Sequence, residues 1–129
     1  MLENKVDYWL NLADYDLSAS KAMLNSKHYL YVGFMCHQTI EKALKAVFTK
    51  VTNETPPKIH NLSVLADKAQ VYAKMSEEQK TFISEINPLN IEARYSEYKE
   101  EMAQTLSEEK CEQLIQETEY ILCWIKRQL

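Results

Sequence analysis

The sequence predicts an all-helical domain, and three observations carry that expectation. The 129 residues include one glycine and three prolines, which leaves few places for tight turns. The Ala, Leu, Glu and Lys content favours helix over strand. Apolar residues recur at helical spacing over long stretches. A chain of this length is one domain, residues 1–129, long enough to remove roughly two thirds of its unfolded surface from water.

The first element spans about residues 2–25, where Leu2, Val6, Trp9, Ala13, Leu17 and Leu24 fall on one stripe. Asn25-Ser26-Lys27-His28 breaks the period, and Tyr29 to Lys50 resumes it as the organising helix, antiparallel to the first across a short turn. Its apolar side carries Ile40, Ala43, Leu44, Val47 and Phe48. Gly33 costs this helix about 1 kcal/mol against Ala, which a close helix contact there would explain. Consecutive Pro56 and Pro57 end the segment in a loop from Thr52, with the helix finishing by about Val51.

Asn61 suits the N-cap of a third helix with Leu62, Leu65, Ala66 and Ala69 inward. Ser76 and Gln79 form a capping box for a short fourth helix carrying Phe82, Ile83 and Ile86. Pro88 then interrupts the pattern, and a loop is expected from Asn87 to about Gln104. Thr105 and Glu108 read as a second capping box, opening a last helix with Cys111, Leu114, Ile115, Thr118, Ile121, Leu122 and Ile125 on its inner face.

The net charge of −4 argues against holding nucleic acid by bulk charge, although a local basic patch remains open. Cys36, Cys111 and Cys123 are odd in number, lack metal-ligand spacing and read as reduced packing residues of a cytoplasmic protein. Charges interrupt the N-terminal apolar residues, so no signal-peptide core is expected, and no apolar run reaches the length of a membrane span. With Gly33 alone, the chain has no glycine-rich phosphate cradle, and no Ser or Cys sits in a nucleophile elbow.

The polar row of the second helix holds the chemistry. Gln38 to Lys42 and Glu41 to Lys45 are each four apart, the second pair in the favourable orientation. The row is either a solvated face or part of a site. His37 and Glu41 would place two metal ligands on one face, but no further ligand is supplied by an HExxH or paired-Cys motif. His60 reads as a local hydrogen-bonding residue at a helix start. Arg94, between apolar and aromatic neighbours, either pairs with Glu41 and pins its loop to the second helix, or joins Lys42 and Lys45 in a small anion site. Both can hold if Glu41 positions Arg94.

Four segments in order then resemble the HEPN domain family: Trp9 to Ala13 with Asp16, Gln38-Thr39-Ile40-Glu41-Lys42-Ala43-Leu44-Lys45-Ala46, His60-Asn61-Leu62, and Ala93-Arg94-Tyr95. The resemblance implies an up-and-down bundle of four to five helices that dimerises, with a cleft lined by the second helix and the Arg94 loop. It implies a non-catalytic nucleotide- or substrate-binding partner of a minimal nucleotidyltransferase, of the two-component or toxin–antitoxin type, with no cofactor. Gln38, Glu41, Lys42, Lys45, His60, Arg94 and Tyr95 are the expected ligand contacts. The alternative is a metal-independent ribonuclease toxin acting on RNA through Arg94. The ribonuclease branches place a histidine shortly after that arginine, where this chain has Lys99, Glu100 and Glu101, so Lys99 or His60 would have to carry the proton. Tyr95 or Tyr98 would be offset substitutes for the tyrosine that some family toxins carry for modification with AMP. A third reading is a purely structural dimer whose apolar surface serves a protein partner.

Overall fold

The computed structural model describes residues 2–92 and 105–129. In chain order these form α1 (Leu2–Asn25), α2 (Tyr29–Thr52), α3 (Leu62–Lys68), a 3-10 turn (Tyr72–Lys74), α4 (Glu77–Glu92) and α5 (Glu108–Arg127), with no strand among the described residues. The architecture is an all-α bundle, as the sparse glycine and the long helical periods predict. No helix among the described residues is long and apolar enough to cross a membrane.

The bundle is built around α2, which packs against α1, α3, α4 and α5. A helix touched from several sides has little solvent face, and α2 is buried almost continuously from Cys36 to Thr49. Ala13 and Leu17 of α1, Ile83 and Ile86 of α4, and Ile121 and Ile125 of α5 close the core with Ile40, Leu44 and Val47 of α2. Leu62, Leu65, Ala66 and Ala69 are also buried there.

Turns are made without glycine. Lys27 takes a left-handed conformation (φ 63°) after α1, where the His28 N–H donates to Met23 O at 2.8 Å and the Lys27 N–H to Leu24 O at 3.0 Å. That is a Schellman closure. Gln70 (φ 64°) repeats it after α3, and Asn53 (φ 57°) caps α2 by donating to Thr49 O. Asn61 caps α3, its Oδ1 accepting from the Val64 N–H at 3.1 Å. Both arms of the Ser76–Gln79 capping box form, at 2.9 and 3.1 Å.

Two boundaries differ from the sequence expectation. Pro88 does not end α4, which runs through it to Glu92. The proline removes one backbone donor, and tertiary contacts around it outweigh that loss. The Leu62 N–H donates to Asn87 Oδ1 at 2.8 Å, the Gln38 side chain donates to Asn90 Oδ1 at 2.7 Å, and Leu89 is buried. The cap of α5 is Ser107, not Thr105: its hydroxyl accepts from the Lys110 N–H at 3.1 Å. Leu106, buried just before it, fixes the entry of the chain.

Gly33 is the close contact the sequence suggested. A Cβ there would lie 2.8 Å from Leu89 Cδ1 and 3.6 Å from Leu106 Cδ1. Gly33→Ala should therefore destabilise the wild-type protein, because Leu89 must leave its position in a packed core. In a Leu89→Ala background the same change should stabilise by about 1 kcal/mol through helix propensity. Urea unfolding of the four proteins in this cycle checks the reversal of sign; equal effects in both backgrounds would contradict the contact.

Candidate functional site

Gln38, Glu41, Lys42 and Lys45 recur at three- and four-residue spacing, so α2 presents them along one face. That face is not solvated. Gln38, Glu41 and Lys45 are buried and Lys42 is partly so, because α1, α4 and the chain entering α3 all lie over it. A buried polar group requires a partner, and each of these four has one.

Gln38 donates to Asn90 Oδ1 and ties α2 to α4. Lys42 donates to Asp16 Oδ2 at 3.0 Å and ties α2 to α1. Glu41, 2% exposed, is the centre. Its Oε1 accepts from His60 Nδ1 at 2.9 Å and its Oε2 from Lys45 Nζ at 3.1 Å. The Lys45 ammonium also sits 5.4 Å from the centroid of the Trp9 ring, a cation–π distance. A continuous chain of contacts therefore runs His60, Glu41, Lys45, Trp9.

Burial alone would push the Glu41 carboxyl up. The hydrogen bonds from His60 and Lys45, together with the Lys45 charge, outweigh burial and hold it below the usual carboxylate range. Glu41 is thus a fixed anion and no proton donor at neutral pH. Its acceptance of a bond from Nδ1 puts a hydrogen on that nitrogen, which leaves Nε2 of a neutral His60 as the basic atom. The His60 side chain is half exposed.

His37 joins the cluster from the same helix. It is fully buried, with Nε2 2.9 Å from the His60 carbonyl and Nδ1 3.8 Å from Glu41 Oε1. Donation to a carbonyl needs a hydrogen on Nε2, so His37 fastens the backbone of the residue whose ring Glu41 orients. Among the described residues no group of three His, Cys, Asp or Glu side chains has the geometry to hold a metal ion. Arg94 and Tyr95 lie outside the described residues, as do Tyr98 and Lys99. The expected Arg94–Glu41 pair lies there too.

The cysteines divide. Cys36 and Cys111 are buried, but Cys123 is exposed on α5, against the expectation that all three pack. Burial pushes the Cys36 thiol up to about 12 and that of Cys111 to about 11, which keeps both protonated and poor as nucleophiles.

Sequence spacing supplies the Glu41–Lys45 pair but not Asp16, Asn90 or Trp9 as partners of the row. Those contacts span long sequence separations, and the only signal for them is the demand that a polar row on a central helix be satisfied.

A family model for the HEPN domain matches residues 6–128. The chain belongs to the HEPN domain family. Its fold is similar to the crystal structure of TT1696 from Thermus thermophilus, with a TM-score of 0.82 at 18% identity, covering 98% of this chain and 99% of that one. No curated protein matches the sequence. In this HEPN chain the residues assembled on α2 are held by internal partners, which the family resemblance alone does not reveal.

Glu41→Ala would strand the Lys45 ammonium in a buried site, and a loss of about 3 kcal/mol is expected, since breaking a buried pair costs about 3–5 kcal/mol. The pH dependence follows from the lowered carboxyl. Its contribution is present above the unfolded value of about 4.3 and is lost as pH falls through the lower folded value. Wild-type protein should therefore lose stability on acidification toward pH ~3, while Glu41→Gln loses less. Thermal unfolding across that range checks this; parallel curves for the two proteins would contradict it.

Proposed function

We propose that this HEPN protein is a non-catalytic, cytoplasmic binding subunit that works with a minimal nucleotidyltransferase and presents a nucleotide or substrate to it. One observation carries the reading. The charged groups on the buried α2 face are held in fixed pairs, Lys42 with Asp16 and Lys45 with Glu41, which suits a preorganised framework behind the half-exposed His60 ring and the partly exposed Trp9 ring. Glu41 is a poor acid, and the two buried thiols are poor nucleophiles. His60 and Trp9 are the site's accessible ends, and Arg94 and Tyr95 are proposed to complete it. The pairing with a transferase, the two-component or toxin–antitoxin role and the homodimer are drawn from the family resemblance.

Co-expression with a minimal nucleotidyltransferase encoded beside it tests the partnership. Co-elution with that enzyme at a defined mass by light scattering is expected, and separate elution at micromolar concentration would overturn it. Nucleotide at 100 times its Kd should add about 2.7 kcal/mol to stability. Absence of any nucleotide-dependent thermal shift, alone and with the transferase, would remove the ligand part.

A second reading, metal-independent RNA cleavage, is favoured by the carboxylate–imidazole pair. Glu41 holds His60 in the orientation that leaves a basic nitrogen on a half-exposed ring, the arrangement a general base needs. RNA incubated with micromolar protein in EDTA, beside His60→Ala and Arg94→Ala, decides it. Cleavage lost in both variants would replace the first reading with this one; no cleavage above the controls would remove the second.

A further inference from the structure

Beside Trp9 the surface holds a pocket of about 270 Å³ that includes Lys5, Tyr8, Trp9, Thr49, Asn53 and Pro56 in its lining. We infer that this pocket is a ring subsite for the base of a nucleotide, with Lys5 set to meet its phosphate. The inference rests on the nucleotide-binding reading above and deepens it by naming where the ring sits.

Two features point to a planar ring with polar edges. The walls supply flat apolar faces: Trp9 is partly buried, Tyr8 meets it edge to face with centroids 5.3 Å apart, and Pro56 also lines the pocket. Aromatic side chains at a half-open site stack planar rings, and base stacking tolerates any base. The remaining lining is polar. Asn53 and Glu54 are exposed and can meet ring-edge or sugar hydrogen-bonding groups, Lys5 is the cation of the lining, and the Thr49 hydroxyl is already held by the Lys45 carbonyl. An aliphatic ligand would offer Asn53, Glu54 and Lys5 no hydrogen-bonding partner.

The Trp9 wall is also fixed in advance. Lys45 sits at cation–π distance from its ring and is held by Glu41, which His60 also bonds. Preorganised walls reduce the ordering that binding must supply. The same stretch of chain after α2 carries Thr55 and Pro56 to the pocket and His60 to Glu41. The wall of the ring subsite is thus joined to the Glu41 cluster through the buried Lys45.

The test uses full-length protein labelled with ¹⁵N. Trp9 and Trp124 are the two tryptophans, and the indole N–H peak that Trp124→Phe removes identifies the other as Trp9. The probes are AMP and ribose 5-phosphate, with titration calorimetry run on the same wild-type samples. AMP should shift the Trp9 peak and ribose 5-phosphate should not. Tyr8→Ala, on an exposed side chain, should weaken AMP binding about tenfold, the factor expected for one stacking contact. Lys5→Ala should weaken it by a similar factor.

Equal shifts with both probes would overturn the ring subsite, leaving an anion contact alone. Heat with AMP but an unmoved Trp9 peak and no effect of Tyr8→Ala would also overturn it, while the nucleotide-binding reading stands. No heat and no shift with AMP would overturn the ring subsite and count against the reading it rests on.

Discussion

The buried, ionised carboxylate of Glu41 is the constraint on which the site depends. A charge this deep is tolerated only when its oxygens are satisfied, and here one oxygen takes a bond from His60 and the other from Lys45. Those two bonds reach different parts of the protein. The first fixes the chain between α2 and α3, which His37 also fastens through the His60 carbonyl. The second holds Lys45 against Trp9 of α1. One side chain thus joins three segments that sequence separates widely, and the site follows from how α2 is buried.

Charge accounting shapes the functional reading in the same way. Four charged or polar residues on a helix suggest an anion site when read alone. In the folded protein Asp16 and Glu41 face the two lysines, so the local field is balanced and recognition must rely more on shape, stacking and directed hydrogen bonds. The accessible parts of the cluster are the half-exposed His60 ring at one end and the aromatic wall of Trp9 at the other. The Arg94 contact expected from sequence falls outside the described residues, so the site described rests on α1, α2 and the chain entering α3.

Much of the fold is legible in sequence because its signals are local. Helix periodicity marks α1, α2 and α5 with their inner faces, and the caps at Asn61 and Ser76 are readable because a capping side chain bonds a backbone group three residues on. The failures share one cause. Pro88 looks like a terminator by propensity, yet contacts of Asn87, Leu89 and Asn90 with α2, Asn61 and Leu62 carry the helix past it. Thr105 and Ser107 are both good caps, and burial of Leu106 between them accompanies the choice of Ser107. The burial of Gln38, Glu41 and Lys45 depends on what covers them, which no spacing encodes. Four-residue spacing is enough to pair Glu41 with Lys45, whereas His60, nineteen residues from Glu41, reads in sequence only as a helix-start residue.

The state of the two histidine rings tests this account most directly. Long-range ¹H–¹⁵N NMR at alkaline pH distinguishes a nitrogen that carries hydrogen from one that does not. Hydrogen on Nδ1 of His60 with Nε2 bare, and hydrogen on Nε2 of His37, is the predicted result, with the His60 preference relaxing in Glu41→Gln. A His60 ring protonated on Nε2, or one indifferent to Glu41→Gln, would contradict the claim that the buried carboxylate organises the site.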